Sequence, residues 1–176
     1  VLFQLEALAK STDVKEKKFV FAHVLLPHSP YLFDADGRPL SREEQAAKPE
    51  EELYKDYIEF ANKRISRLID ELLVKSKRPP VIIIQADEGF RYNAKSNAER
   101  YRKPGYMDLH YGILNAYYLP DRKASEVVYD SITPVNSLRA VFNAYFDADL
   151  EILEDENYML LQKGQKIQGF KRVTDD

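Results

Sequence analysis

Asp87 and Glu88 stand side by side where the chain's most hydrophobic stretch ends, in PPVIIIQADEGF, residues 79–90. Two adjacent carboxylates repel each other unless a cation, a metal ion or solvent compensates them. Their hard oxygens suit Mg, Mn or Ca, or Zn when an imidazole joins them. Gly89 comes next, and a residue without Cβ permits a sharp turn or a close backbone approach. Asp87 and Glu88 are therefore candidate metal ligands. A solvated acidic turn paired with Arg91 is the competing reading.

Imidazoles and cations come from other stretches. His28 sits in PHSPY, between Pro27 and Pro30, whose rings restrict the backbone around it. A neutral imidazole held there can act as ligand, proton donor or recognition group, which makes His28 the candidate catalytic residue. The alternative is a loop histidine bonded to a carbonyl. His23, inside an apolar run, reads as a satisfied core histidine. RYNAKSNAERYRKPGY, residues 91–106, interleaves Arg91, Lys95, Arg100, Arg102 and Lys103 with Tyr92, Tyr101 and Tyr106. Arg and Tyr side chains grip sulfate or phosphate oxygens. Arg91 and the more weakly signalled His110 are candidate substrate contacts, against the alternative of a solvated loop. Asn115 and Asn136 are expected to bond backbone.

Such groups need elements to hold them. Residues 2–9 have a helical period. FVFAHVLL, residues 19–26, is a continuous apolar run of strand length, the pattern of a strand buried on both faces. PHSPYLFDADGRPL is loop with a DADG turn. SREEQAAKPEEE, residues 41–52, reads as a charged insertion on a solvated face. Leu53 to Lys75 repeats apolar residues at helical spacing, and Arg78-Pro79-Pro80 stops it. VIIIQA (81–86) is the second strand. Arg91 to Tyr111 has no clean period and reads as a long functional loop. GILNAYYLP (112–120) is the third strand. SITPVNSLRAVFNAYF is a helix with Pro134 in its first turn and Ser131 or Thr133 as cap. NYMLLQKGQKIQGFKRVT reads as two short strands around Lys163-Gly164. Strands alternating with amphipathic helices imply an α/β layer fold. Ligands in open α/β sheets sit beyond the carboxyl ends of the strands. The strand ending near Leu26 and the strand ending at Ala86 are thus expected to be neighbours that aim His28 and the acidic pair into one crevice.

With 176 residues, the chain suits one domain or one piece of a larger one, and 44% hydrophobic residues provide for a core. A net charge of −3 gives no general affinity for nucleic acid. The absence of cysteine excludes disulfides, thiolate catalysis and Cys-ligated zinc. No apolar run reaches the roughly 20 residues that span a bilayer. No phosphate-binding glycine loop and no nucleophile elbow are present. Val1 is not Met, so the chain reads as an excised or processed piece. VLFQ resembles part of a protease-site tag, while Val1, Leu2, Leu5 and Leu8 also suit a native helix, the preferred reading.

Taken in order, FVFAHVLLPHSPYLFDADG, YIEFANKRISRLIDELL, PPVIIIQADEG, ILNAYYLP and SITPVNSLRAVFNAYF resemble the C-terminal half of the alkaline-phosphatase-like superfamily. The nearest likeness is to sulfatases and to the sulfatase-like phosphotransferases of lipoteichoic acid synthesis. It covers roughly residues 18–160. The resemblance implies an α/β fold with helices packed on a mostly parallel or mixed sheet. It also implies metal-dependent hydrolysis or transfer of sulfate or phosphate esters. By position, Asp87 would be a metal carboxylate, Glu88 would stand where the family usually has His or Asn, and His28 would match the histidine after the first strand. The family's nucleophile belongs to its N-terminal half, so this piece alone is expected to be inactive. The parent is expected to be a membrane-anchored or exported protein of a bacterial cell envelope. A charged residue in place of a neutral ligand equally suits a lineage without metal. The rival reading is accordingly a non-catalytic domain that binds an envelope glycan, a polymer or a protein, and the aromatic loop from Tyr92 to Tyr106 favours it.

Overall fold

A computed structural model describes residues 1–92, 97–163 and 166–173. The chain divides into two compact units, Val1–Pro80 and Val81–Asp176.

The first unit is built on three helices: α1 (Leu2–Lys10), α2 (Arg42–Ala47) and α3 (Glu50–Lys75). Glu50, Glu51 and Glu52 occupy the first turn of α3 and Lys75 its last, each sign complementing the helix dipole. Leu53, Tyr57, Phe60 and Ala61 form its buried stripe. Tyr31, Leu40, Leu53, Tyr57 and Phe60 make the core, with Phe33 packed against them. The Phe33 ring stacks on Phe60 at 4.9 Å. The DADG turn closes beneath these rings. Asp34 Oδ1 accepts the amides of Asp36 and Arg38 at 3.1 and 2.9 Å. Gly37 has φ +87°, and a Cβ there would lie 3.0 Å from the Phe60 ring.

Two expectations change in this unit. Residues 41–52 keep the expected solvated face but are largely helical, in α2 and the first turn of α3. The Ser41 hydroxyl accepts from the Glu44 amide at 3.2 Å, and Glu44 accepts from the Ser41 amide at 2.8 Å. This capping box starts α2. Arg38 also reaches Glu44 at 2.8 Å. Second, residues 19–26 form no strand, and Phe21 and Leu25 are largely exposed. A run apolar on both faces becomes a buried strand only between neighbouring strands, and the described residues supply none there. His23 is exposed, not a core histidine, and its carbonyl accepts from Gln4 Nε2 at 3.1 Å.

The second unit contains β1 (Ile82–Gln85), α4 (Asn97–Tyr101), α5 (Tyr106–Tyr111), β2 (Asn115–Tyr118), α6 (Ala124–Val127), α7 (Pro134–Phe146), β3 (Tyr158–Lys163) and β4 (Lys166–Arg172). β1 pairs antiparallel with β2, from Ile82 opposite Tyr118 to Gln85 opposite Asn115. β3 pairs antiparallel with β4, with a bulge between Leu161 and Gln162. The architecture is mixed α and β as expected, but among the described residues the two sheets are two-stranded and antiparallel, so the mostly parallel or mixed sheet is corrected. β1 finds its partner 33 residues on in β2, not in the run ending near Leu26. The stretch from Arg91 to Tyr111, read as a long loop that is functional or ordered by a ligand, holds two short helices, α4 and α5. Lys95 and Gly164 lie outside the described residues.

Helix α7 joins this unit together through polar contacts. Gln85 Nε2 donates to Ser137 Oγ at 2.7 Å and to Asn115 Oδ1 at 3.0 Å. The Tyr117 hydroxyl meets Ser137 Oγ at 2.6 Å. Asn136, with no exposed surface, donates to the Leu153 carbonyl at 2.8 Å and accepts the Leu153 amide at 2.9 Å. Thr133 is the N-cap residue of α7, but its side chain makes no capping bond; its amide and hydroxyl donate to Asp155 Oδ1 at 2.7 and 2.6 Å. Among the described residues, no helix is long and apolar enough to cross a membrane.

Candidate functional site

The chain after β1 keeps to the sheet register for one more residue, where the Ala86 amide donates to the Leu114 carbonyl at 2.9 Å. It then turns through Asp87 and Glu88 and returns to backbone pairing. The amides of Gly89 and Phe90 donate to the carbonyls of His110 and Leu109 at 2.7 and 2.9 Å. This double tie needs glycine, because a Cβ on Gly89 would lie 2.0 Å from the Leu109 carbonyl oxygen. The acidic turn is thereby fixed against the C-terminal end of α5.

α5 supplies the floor. Tyr106 is 1% exposed, and the His110 ring lies on it at 5.1 Å with the planes 13° apart. A pair four residues apart shares one helix face. Tyr111 meets His110 edge-on at 5.1 Å. Phe90 and Tyr92 extend the aromatic layer at 4.6 Å, and Lys103 Nζ sits 3.9 Å above the Tyr92 ring. The Tyr111 hydroxyl donates to the Tyr158 carbonyl at 3.3 Å, which brings β3 alongside.

The result is a pocket of about 330 Å³. Asp87, Glu88, Arg91 and His110 line it together with Tyr101, Tyr106, Tyr111, Tyr158 and Leu160. Four of the five residues selected from sequence thus share one pocket. The fifth, His28, belongs to the first unit, where it is exposed and its Nδ1 contacts the Ser29 carbonyl. Tyr111, Tyr158 and Leu160 were not selected. Tyr158 and Leu160 carry no local signal, since only long-range packing of β3 brings them here.

His110 is the most unusual group in the pocket. Its Nδ1 is buried and has no hydrogen-bond partner among the described residues. Burial pushes its pKa below the usual 6.5; Glu88 opposes the shift, and Arg91 and Arg100 add to it. The ring is therefore neutral near pH 7. Burial likewise raises the phenols of Tyr101, Tyr106 and Tyr111, which keeps them protonated donors. Arg91 leans toward Glu88 at 3.8 Å, with half of its side chain exposed. An exposed pair at that distance binds weakly, so the guanidinium can turn to a ligand at little cost.

Among the described residues, no three His, Asp or Glu side chains gather as a group able to hold a metal ion. Asp87 and Glu88 offer part of a coordination sphere, and Asp87 Oδ1 already accepts the Glu88 amide at 3.0 Å. These donors alone do not complete the divalent site that the resemblance implies. What the pocket itself provides is carboxylate acceptors, one guanidinium, one neutral imidazole and several phenols. That set binds and orients a polar ligand.

No protein-family model, curated protein or solved structure matches the chain.

Proposed function

We propose that the chain is the C-terminal part of a sulfatase-like hydrolase or transferase, and that the pocket of its second unit receives a sulfate or phosphate ester. The observation that carries this reading is the convergence of Asp87, Glu88, Arg91 and His110 on one cavity from two stretches of sequence. Arg91 would hold an ester oxygen with its forked donors. His110, as a neutral imidazole lining the pocket, would hydrogen-bond the substrate. Asp87 and Glu88 line the pocket and repel an anionic ester, which a countercharge would offset. Asp87 and Glu88 would share a divalent cation (Mg, Mn, Ca or Zn) with ligands from outside this chain. The nucleophile and any envelope anchor also belong to the parent protein.

The test is a titration of the chain with an aryl phosphate and an aryl sulfate, with and without each cation, followed through NMR signals of the pocket residues. The expected result is metal-enhanced binding that Arg91→Ala weakens about tenfold, the worth of one charge-assisted bond. Binding unchanged by Arg91→Ala, or shifts confined to other residues, would overturn it.

A second reading has its own observation. Tyr101, Tyr106, Tyr111 and Tyr158 wall the same cavity. A tyrosine wall with carboxylate acceptors suits a neutral glycan or polymer. Metal-independent binding of a neutral oligosaccharide, with no response to either ester, would favour this binder.

A further inference from the structure

Strand β4 has an open edge. The Val173 amide donates to the Asn157 carbonyl at 2.8 Å, which makes these two a hydrogen-bonded pair of the ladder. Bonded and non-bonded pairs alternate, so Phe170 opposite Leu160 and Arg172 opposite Tyr158 are non-bonded pairs. The amides and carbonyls of Phe170 and Arg172 therefore point away from β3, and no backbone group among the described residues meets them. The far edge of β3 is engaged instead, where the Tyr158 carbonyl accepts the Tyr111 hydroxyl at 3.3 Å.

The two faces beside the open edge differ in kind. Gln168 is the extra residue of the bulge, so Phe170 and Ile167, three positions apart, stand on one face, opposite Leu160 and Gln162. They are 68% and 61% exposed. Lys171 and Lys166, opposite Met159 and Lys163, stand on the other face, and both are exposed. Residues 157–173 contain no Asp or Glu to neutralise them. Arg172 is committed to Glu156 at 2.8 Å.

An open edge recruits another strand through backbone hydrogen bonds, and the side chains along it decide which strand fits. A strand laid along β4 sets each of its residues beside the β4 residue of the same face. Beside Phe170 and Ile167 it needs apolar side chains, and beside Lys171 and Lys166 it needs carboxylates. A second copy of β4 fails this rule, because antiparallel pairing of the two edges gathers the lysines of both copies on one face.

We propose that the open edge of β4 binds an extended protein segment of alternating apolar and acidic residues, which becomes the third strand of the hairpin. Backbone bonds to Phe170 and Arg172 hold it. Its apolar side chains cover Phe170 and Ile167, and its carboxylates meet Lys171 and Lys166. The inference does not depend on the ester chemistry proposed above.

The probe is a synthetic peptide of alternating valine and glutamate, seven residues long like β4. It is titrated into the chain and followed through the amide NMR signals of β4. The signals of Phe170, Lys171 and Arg172 should shift. Binding should be at least about tenfold tighter than for a valine-lysine peptide of equal length, which sets like charges side by side. N-methylation of the valines should abolish binding, since it removes the backbone donors and leaves the charge in place. Lys166→Glu/Lys171→Glu should reverse the preference between the two peptides. Phe170→Ser should weaken binding about tenfold, through lost apolar burial. Circular dichroism checks the fold of each variant, and the peptide comparisons need no variant. No shift with either peptide, equal affinity for both, or binding that survives N-methylation overturns the proposal. So does a self-association in sedimentation velocity that Phe170→Ser abolishes and the valine-glutamate peptide does not displace.

Discussion

Gly89 donates its amide to the carbonyl of His110 at 2.7 Å. That one bond links the acidic turn to the imidazole across 21 residues of chain, and it sets where both side chains enter the pocket. Gly89→Ala places a Cβ 2.0 Å from the Leu109 carbonyl oxygen, against backbone that cannot rotate away. The expected loss of stability is about 2 kcal/mol or more, measured by urea unfolding. NMR signals of His110 and Glu88 should shift together in the variant. A variant as stable as the parent, with unshifted signals, would show that the contact does not position the site.

Asn136 bridges α7 and the segment at Leu153 by bonding both the amide and the carbonyl of that residue. Its side chain also donates to Asp155 Oδ1 at 3.0 Å. Asn136→Ala removes both bonds to the Leu153 backbone and leaves a cavity at a fully buried position, and the cost is about 2 kcal/mol in urea unfolding. Asn115→Ala removes only a 3.4 Å bond to Ile132 and a contact with Gln85, and it should cost less than half as much.

Asp155 gives this clasp a pH dependence. Burial pushes its pKa up, but hydrogen bonds from Thr133, Tyr129 and Asn136 outweigh that and hold it below 3.8. A carboxylate depressed in the folded state stabilises the fold above its unfolded pKa. The contribution is lost as pH falls through the lower folded value. Asp155→Asn should be less stable than the parent near pH 7, and the difference should shrink as pH drops below about 4. A difference that stays constant with pH would mean that the charge plays no part.

The helices were readable because their signals are local. Leu53, Tyr57, Phe60 and Ala61 announce α3 through spacing, and Pro134 marks the start of α7. Ser41 and Glu44 announce α2 equally well, although their charged neighbours drew attention away from the capping spacing. The hairpin was legible around Lys163. The run at 19–26 misled because composition reports a residue's preference for burial, not whether a neighbouring strand exists. In the site, the acidic turn, Arg91 and His110 were individually visible. Their convergence was not, because it rests on backbone pairing of Gly89 and Phe90 with α5, which leaves no trace in spacing.

His110 offers the sharpest separation of structure from function. A histidine kept for the fold would have its buried nitrogen bonded, yet Nδ1 has no partner among the described residues. His110→Phe keeps a ring on Tyr106 and removes the unpaired nitrogen. If the imidazole serves a ligand, the fold should gain about 1 kcal/mol from the loss of an unsatisfied buried group. Binding of the aryl esters should fall about tenfold in the same variant, for want of one hydrogen bond. Thermal unfolding and NMR titration read the two effects separately. A variant that loses stability and binds its ligand normally would identify His110 as a packing residue instead.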